Sequence, residues 1–314
     1  MLVLDERFPA SAYQNASREA AAAALDLYYW IEVARNSNLA DAQPRWMASI
    51  GMHDDWRLRW PKAPPVREGQ VAKAWPWVPI GYREAFEAHL ARAQRLLEGV
   101  PGGYQGVLLN DLQGGPSSCG CGNGQCRWAY DYHVPSTATP DSPGDAAPRF
   151  LARLSERFPQ AAFIPIWTTE CEEVDLSASR RKGAPSTGLC GNVPCAHGAC
   201  PKEFSKQWTA LANSHSGPLG LLLLHREFSR VHAVYGDPAS WISQGVSLAN
   251  QVPLQPVGAA VTHDRLWLVV QGHGIDRAEA AAAREAAEKL NPAWVLVSGV
   301  RIDQSWEPRV IPAQ

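Results

Sequence analysis

Short apolar runs alternate with amphipathic stretches along almost the whole chain, and this alternation limits the available folds more than any other feature. The runs cover residues 2–4, 27–33, 71–80, 107–109, 162–167, 219–224, 266–270 and 294–297. Unbroken apolar runs of this length read as strands buried on both faces. The run at 71–80 is the weakest, because Pro76 and Pro79 interrupt it. Helical spacing fills the gaps at 15–25, 83–97, 146–158, 204–212 and 238–249. Phe86, Leu90, Ala93 and Leu97 share one stripe of the second of these. Asp237-Pro238 opens the last as cap and first helical residue. Asp276-Arg-Ala-Glu279 reads as a capping box for a further helix, which Asn291-Pro292 closes.

Eight strand-like runs with helices between them predict a parallel α/β fold. For 314 residues the (β/α)8 TIM barrel fits best, as a single domain over 1–314. A doubly wound sheet would place a glycine-rich turn after its first strand. Here that position holds Asp5-Glu6-Arg7-Phe8-Pro9. The stretches with little helical pattern, 35–69, about 114–145 and 171–202, become long loops at the C-terminal face of the strands, where long loops tend to be functional.

Charge narrows the partners. Lys+Arg total 29 against Asp+Glu 31, without a long run of either sign, so neither a nucleic acid nor a membrane is expected as partner. No apolar stretch approaches the ~20 residues of a membrane span. The N-terminus lacks the basic and apolar regions of a secretory signal, so the chain reads as cytoplasmic as written, or as exported if its N-terminus is truncated.

In a barrel the chemistry sits at the carboxyl ends of the strands. The polar residues ending the runs are Asp5 and Glu6; Glu32, Arg35 and Asn36; Asn110 and Asp111; Glu170; His225, Arg226 and Glu227; Gln271 and His273; and Ser298. That inventory suits a polar small-molecule substrate. Trp30, Glu32, Arg35, Asn110, His225 and His273 are the candidate substrate-binding residues. Trp30, Trp77, Trp128 and Trp167, near strand ends, would offer flat faces to sugar rings. His53 and His263 read as surface-turn residues, and His89 as part of the polar face of a helix.

The segment Leu27-Tyr-Tyr-Trp-Ile-Glu-Val-Ala-Arg-Asn36, followed by Ala42-Gln-Pro-Arg-Trp46, resembles the second-strand region of hypothetical glycosyl-hydrolase-like TIM-barrel proteins. There a His-Pro-x-Trp-like segment follows the strand, and this chain has Gln43 in place of the His. Pro76-Trp-Val-Pro-Ile80 and Gly106-Val-Leu-Leu-Asn-Asp111 are similar to the third and fourth strands of that family, over roughly residues 25–130 in all. The resemblance implies a carbohydrate-directed hydrolase with two carboxyl groups flanking an oxocarbenium-like transition state. On that basis Asp111 is the candidate nucleophile or base and Glu170 the candidate acid, with Glu227 next. A loop-anchoring role for each carboxylate is the competing reading.

All seven cysteines lie between 119 and 200: Cys119, Cys121, Cys126, Cys171, Cys190, Cys195 and Cys200. They fall in the two loops expected after the fourth and fifth strands, so several sulfurs should share one rim of the barrel. Four thiolates, or three with His133 or His197, would suit tetrahedral zinc. An iron–sulfur cluster and disulfides are the other readings, although an odd count leaves at least one sulfur outside any intrachain pairing. A metal-binding or redox protein on a barrel scaffold, without glycosidase activity, is therefore the alternative function.

Overall fold

The computed structural model describes residues 1–49, 62–81, 83–112, 143–168, 211–226, 262–299 and 307–312, with single helical residues at 239, 242, 243 and 246. In chain order the elements are β1 (Leu2–Val3), α1 (Ala10–Ala22), β2 (Tyr28–Glu32), α2 (Ser37–Ala42), β3 (Ala48–Ser49), β4 (Gln70–Trp75) and α3 (Arg83–Glu98). They continue with β5 (Gly106–Asn110), α4 (Pro143–Arg157), β6 (Ala162–Thr168), β7 (Leu219–Leu223), β8 (Leu266–Gln271), α5 (Arg277–Glu288), β9 (Trp294–Ser298) and β10 (Glu307–Pro312).

Seven strands form one sheet in the order β1-β2-β5-β6-β7-β8-β9, and every neighbouring pair is parallel. Such a sequential order, with crossovers of one hand, puts the connecting helices on one face. The larger core lies there: Tyr29, Ile31, Leu109, Phe163 and Leu268 of the strands meet Phe86 and Leu90 of α3 and Phe150 and Leu154 of α4. Helix α5 begins where its capping motif predicts, with the Asp276 side chain accepting from Glu279 N at 2.8 Å.

The opposite face carries a second core of Trp30, Leu108, Ile164, Ile166, Leu222, Leu224, Trp267 and Val269. This face is concave. Tyr28 on β2 and Trp267 on β8 are four strands apart in the sheet, which would separate them by ~19 Å if it were flat. Their ring centroids are 5.4 Å apart. Gly220 on β7 leaves room for the Ile166 side chain of the neighbouring β6, which a β-carbon there would meet.

The expected closed (β/α)8 barrel is corrected by this topology. The parallel sheet has seven strands, and among the described residues nothing pairs β9 with β1. The missing strand is the 71–80 run. Its first half becomes β4, which pairs antiparallel with β10 and β3 in a separate three-stranded sheet. A parallel strand inserted between β2 and β5 would need ladder donors where Pro76 and Pro79 supply none. Instead β2 and β5 pair directly, Glu32 opposite Asn110. None of the described helices is long and apolar enough to cross a membrane.

Candidate active site at the ends of β1, β2 and β5

A cavity of about 260 Å³ opens at the carboxyl ends of β1 and β2, and its wall includes Asp5, Glu6, Arg7, Trp30, Glu32, Arg35, Asn36, Trp75 and Arg92. The pleat explains who is there. Val3, Trp30 and Leu108 point into the concave face, and two residues further on the same face carry Asp5, Glu32 and Asn110. Apolar filling thus gives way to acids and an amide where the strands end.

Glu32 is the most constrained of these groups. Its Oε1 accepts from Trp30 Nε1 at 2.8 Å, and Asn110 Nδ2 donates to Oε2 at 2.9 Å and Oε1 at 3.2 Å. Burial at the floor of the cavity, together with the nearby charge of Asp111, pushes its carboxyl up to about 8 against the opposing pull of Arg35 and these hydrogen bonds. The direction of that shift favours a protonated Glu32 over an ionised one near neutral pH.

Asp111 stands behind it. Its residue is 1% exposed and is not part of the cavity wall. Burial raises its pKa, while the charge of Arg35 and the neighbouring Glu32 oppose the rise. Arg35 Nε lies 3.3 Å from its Oδ2, but neither carboxylate oxygen meets a well-aligned donor among the described residues. The charge of Asp111 is one of the causes that disfavour a negative charge on Glu32. The backbone supports the placement: Asp111 has φ +56, a left-handed conformation that strains a non-glycine residue. Its carbonyl there accepts from Ala34 N at 3.1 Å.

Arg92, on α3, was not signalled by the sequence pattern and organises the other wall. Its Nε and Nη2 donate to the two carboxylate oxygens of Glu6 at 2.7 and 2.9 Å, and Nη1 donates to the Glu32 carbonyl at 2.8 Å. Asp5 Oδ1 accepts from Arg7 N at 2.9 Å and Arg7 Nε at 2.8 Å. Burial pushes the Asp5 carboxyl up, but the bonds from Arg7 and the charges of Arg7 and Arg92 outweigh it and hold Asp5 below the ordinary carboxylate value.

The other predicted site residues divide clearly. Trp30 lines the cavity but is 1% exposed, with its Nε1 committed to Glu32; it fixes the acid and offers no open face. Trp77 is buried beneath the Arg35 guanidinium, 5.0 Å from its ring centroid. His225 bonds Glu279 Oε1 through Nε2 at 2.8 Å, beside Arg226, and His273 Nδ1 lies 3.5 Å from Ser298 Oγ. Neither histidine lines the cavity. His89, expected on a polar face, is buried instead. Its Nε2 donates to the Val78 carbonyl at 2.8 Å, and burial pushes its pKa down to about 4. Glu170, Glu227, Trp128, the Trp167 side chain and all seven cysteines lie outside the described residues. Among the described residues no three His, Cys, Asp or Glu side chains cluster as metal ligands would.

No protein-family model matches the chain, and no curated protein matches it either.

Proposed function

We propose that this chain hydrolyses a glycosidic bond in an uncharged sugar, with Glu32 as the acid that protonates the departing oxygen. The observation that carries this reading is the carboxyl of Glu32 on the cavity wall, held by Trp30 and Asn110 and pushed up to about 8. General acid catalysis needs a positioned group that still holds its proton at working pH.

Two further features support the substrate class. The cations of the wall already face carboxylates: Arg7 meets Asp5, Arg92 meets Glu6, and Arg35 meets Asp111. With Glu32 neutral the charges balance, which favours a neutral ligand over an anion. Asn36, Ser37 and Asn38 border the same space beside Trp75, a mixture of polar groups and an aromatic side chain that suits hydroxyls and C–H faces. The volume is slightly below the ~300–1,000 Å³ of drug-sized ligand pockets, room for one sugar unit at the site of cleavage.

The test is a panel of disaccharides, alkyl glycosides and 4-nitrophenyl glycosides of neutral hexoses and pentoses. Turnover by the wild-type chain should fall on the alkaline side with a midpoint near 8. Glu32→Gln should reduce it by about 10²–10⁴-fold on the disaccharides and alkyl glycosides, and far less on the 4-nitrophenyl glycosides, whose leaving group needs little help from an acid. Absence of turnover across the panel, or a Glu32→Gln variant as active as the wild type on the disaccharides and alkyl glycosides, overturns the reading.

A further inference from the structure

A glycosidase needs a second carboxyl group facing the first, and three carboxylates could supply it. Asp111 does not reach the cavity. Glu6 does, but both its oxygens are held by the Arg92 fork. Asp5 is different. The register Leu2 with Tyr29 and Val3 with Trp30, continued by the bond from Leu4 N to the Trp30 carbonyl at 2.8 Å, brings Asp5 level with Glu32. Adjacent parallel strands run ~4.8 Å apart, and level residues on one face carry their side chains at a similar spacing. The double-displacement geometry of retaining glycosidases requires carboxyls ~5 Å apart. Both residues line the one cavity. Asp5 Oδ1 is anchored by Arg7, whereas Oδ2, 4.0 Å from Arg92 Nη2, accepts no hydrogen bond among the described residues.

Resting on the reading of Glu32 as the acid, we propose that Asp5 Oδ2 is the nucleophile of a retaining mechanism. Oδ2 forms a bond to the anomeric carbon as the bond from that carbon to the leaving oxygen breaks. The bonding pair departs with that oxygen, which takes the Glu32 proton. Water then attacks the anomeric carbon of the glycosyl–Asp5 ester and gives a proton back to Glu32, and the Asp5 carboxylate is released. No oxidant or reductant is needed, and water is the only co-reactant. The two environments fit the division of labour, since Arg7 and Arg92 keep Asp5 ionised while Glu32 stays protonated.

The full-length wild-type chain should be treated with the 2-deoxy-2-fluoroglycosyl fluoride of whichever sugar the panel accepts, and the labelled peptide located by mass spectrometry. The label should sit on Asp5. Asp5→Asn should lower kcat by at least about 10³-fold. Azide should restore release of nitrophenol from an activated glycoside, with the glycosyl azide inverted at the anomeric carbon. For Glu32→Gln the same azide product should keep its configuration, because the nucleophile is intact. If the wild type turns over and depends on Glu32 but the label lands on another residue, or the products show inversion, Asp5 is not the nucleophile and the Glu32 reading survives. If there is no turnover, both fall. Because the labelling uses the wild-type chain, a poorly folded Asp5→Asn cannot leave the matter open.

Discussion

A carboxyl that keeps its proton to about 8 affects stability as well as chemistry. In the unfolded chain Glu32 loses its proton near the ordinary value of ~4.3. Between that pH and about 8 the folded chain therefore holds a proton that the unfolded chain has released, and stability falls as pH rises. The contribution is fully present below about 4.3 and is lost as pH climbs through the folded value. Gln at this position has nothing to titrate and can still accept from Trp30 Nε1, while its amide nitrogen would face Asn110, whose own amide can turn to present Oδ1. Glu32→Gln should therefore gain in Tm relative to wild type as pH rises from 5 to 9, by about 3 °C or more at the top of the range. Melts across that range check it, and a difference that does not change with pH would show that Glu32 is ionised in the folded chain. If Glu32 is the acid proposed above, the same substitution that removes activity should stabilise the fold at alkaline pH.

At the level of elements, Arg92 shows what periodicity can and cannot disclose. The stripe of Phe86, Leu90, Ala93 and Leu97 on α3 was legible, and all four side chains are buried. Arg92 and His89 flank that stripe, and nothing in their spacing separates side chains that reach solvent from side chains that turn inward. The partners that draw them in, Glu6 and the Glu32 carbonyl for Arg92 and the Val78 carbonyl for His89, all lie outside the helix. Arg92 is 8% exposed and ties α3 to the segment after β1 and the end of β2. A lysine there keeps the charge but cannot span both Glu6 oxygens and a carbonyl in one plane. Arg92→Lys should cost about 2 kcal/mol, or roughly 3 °C in Tm, and Arg92→Met at least as much, both readable in thermal melts. Equal stability of all three chains would mean that the fork holds nothing together. The strand ends were legible too: Glu32 sits near the end of its apolar run, and Asp5 and Asn110 lie just past the ends of theirs. Their ranking was not, because Asp111 is turned away by a left-handed backbone angle that no composition rule anticipates, and the level placement of Asp5 and Glu32 depends on the β1–β2 register.

Across the whole molecule, counting runs anticipated seven of the parallel strands, but it expected closure and a strand between β2 and β5 that is absent from the sheet. The count of eight included a segment whose prolines divert it to pair with β10, near the far end of the chain. What remains is a curled sheet of seven strands whose curvature is held from inside. Trp267 is central to that: it is 5% exposed, meets Tyr28 across the concavity and lies 5.5 Å from Trp294 on β9. If the curl depends on this bridge, removing the Trp267 side chain should open the concave core between β2 and β8 and cost about 3–5 kcal/mol, the usual range for a buried tryptophan cut to alanine. Trp294 touches the same ring but is 50% exposed, so Trp294→Ala should cost less than about 1 kcal/mol. The bridge sits at the amino ends of the strands while the cavity sits at the carboxyl ends, so a change in curvature should be felt at the site without any lost contact there. Urea unfolding of the two variants measures the first difference, and KM for the accepted glycoside measures the second, rising in Trp267→Ala and unchanged in Trp294→Ala. A Trp267→Ala chain as stable as the wild type would place the origin of the curvature in the backbone rather than in the aromatic bridge.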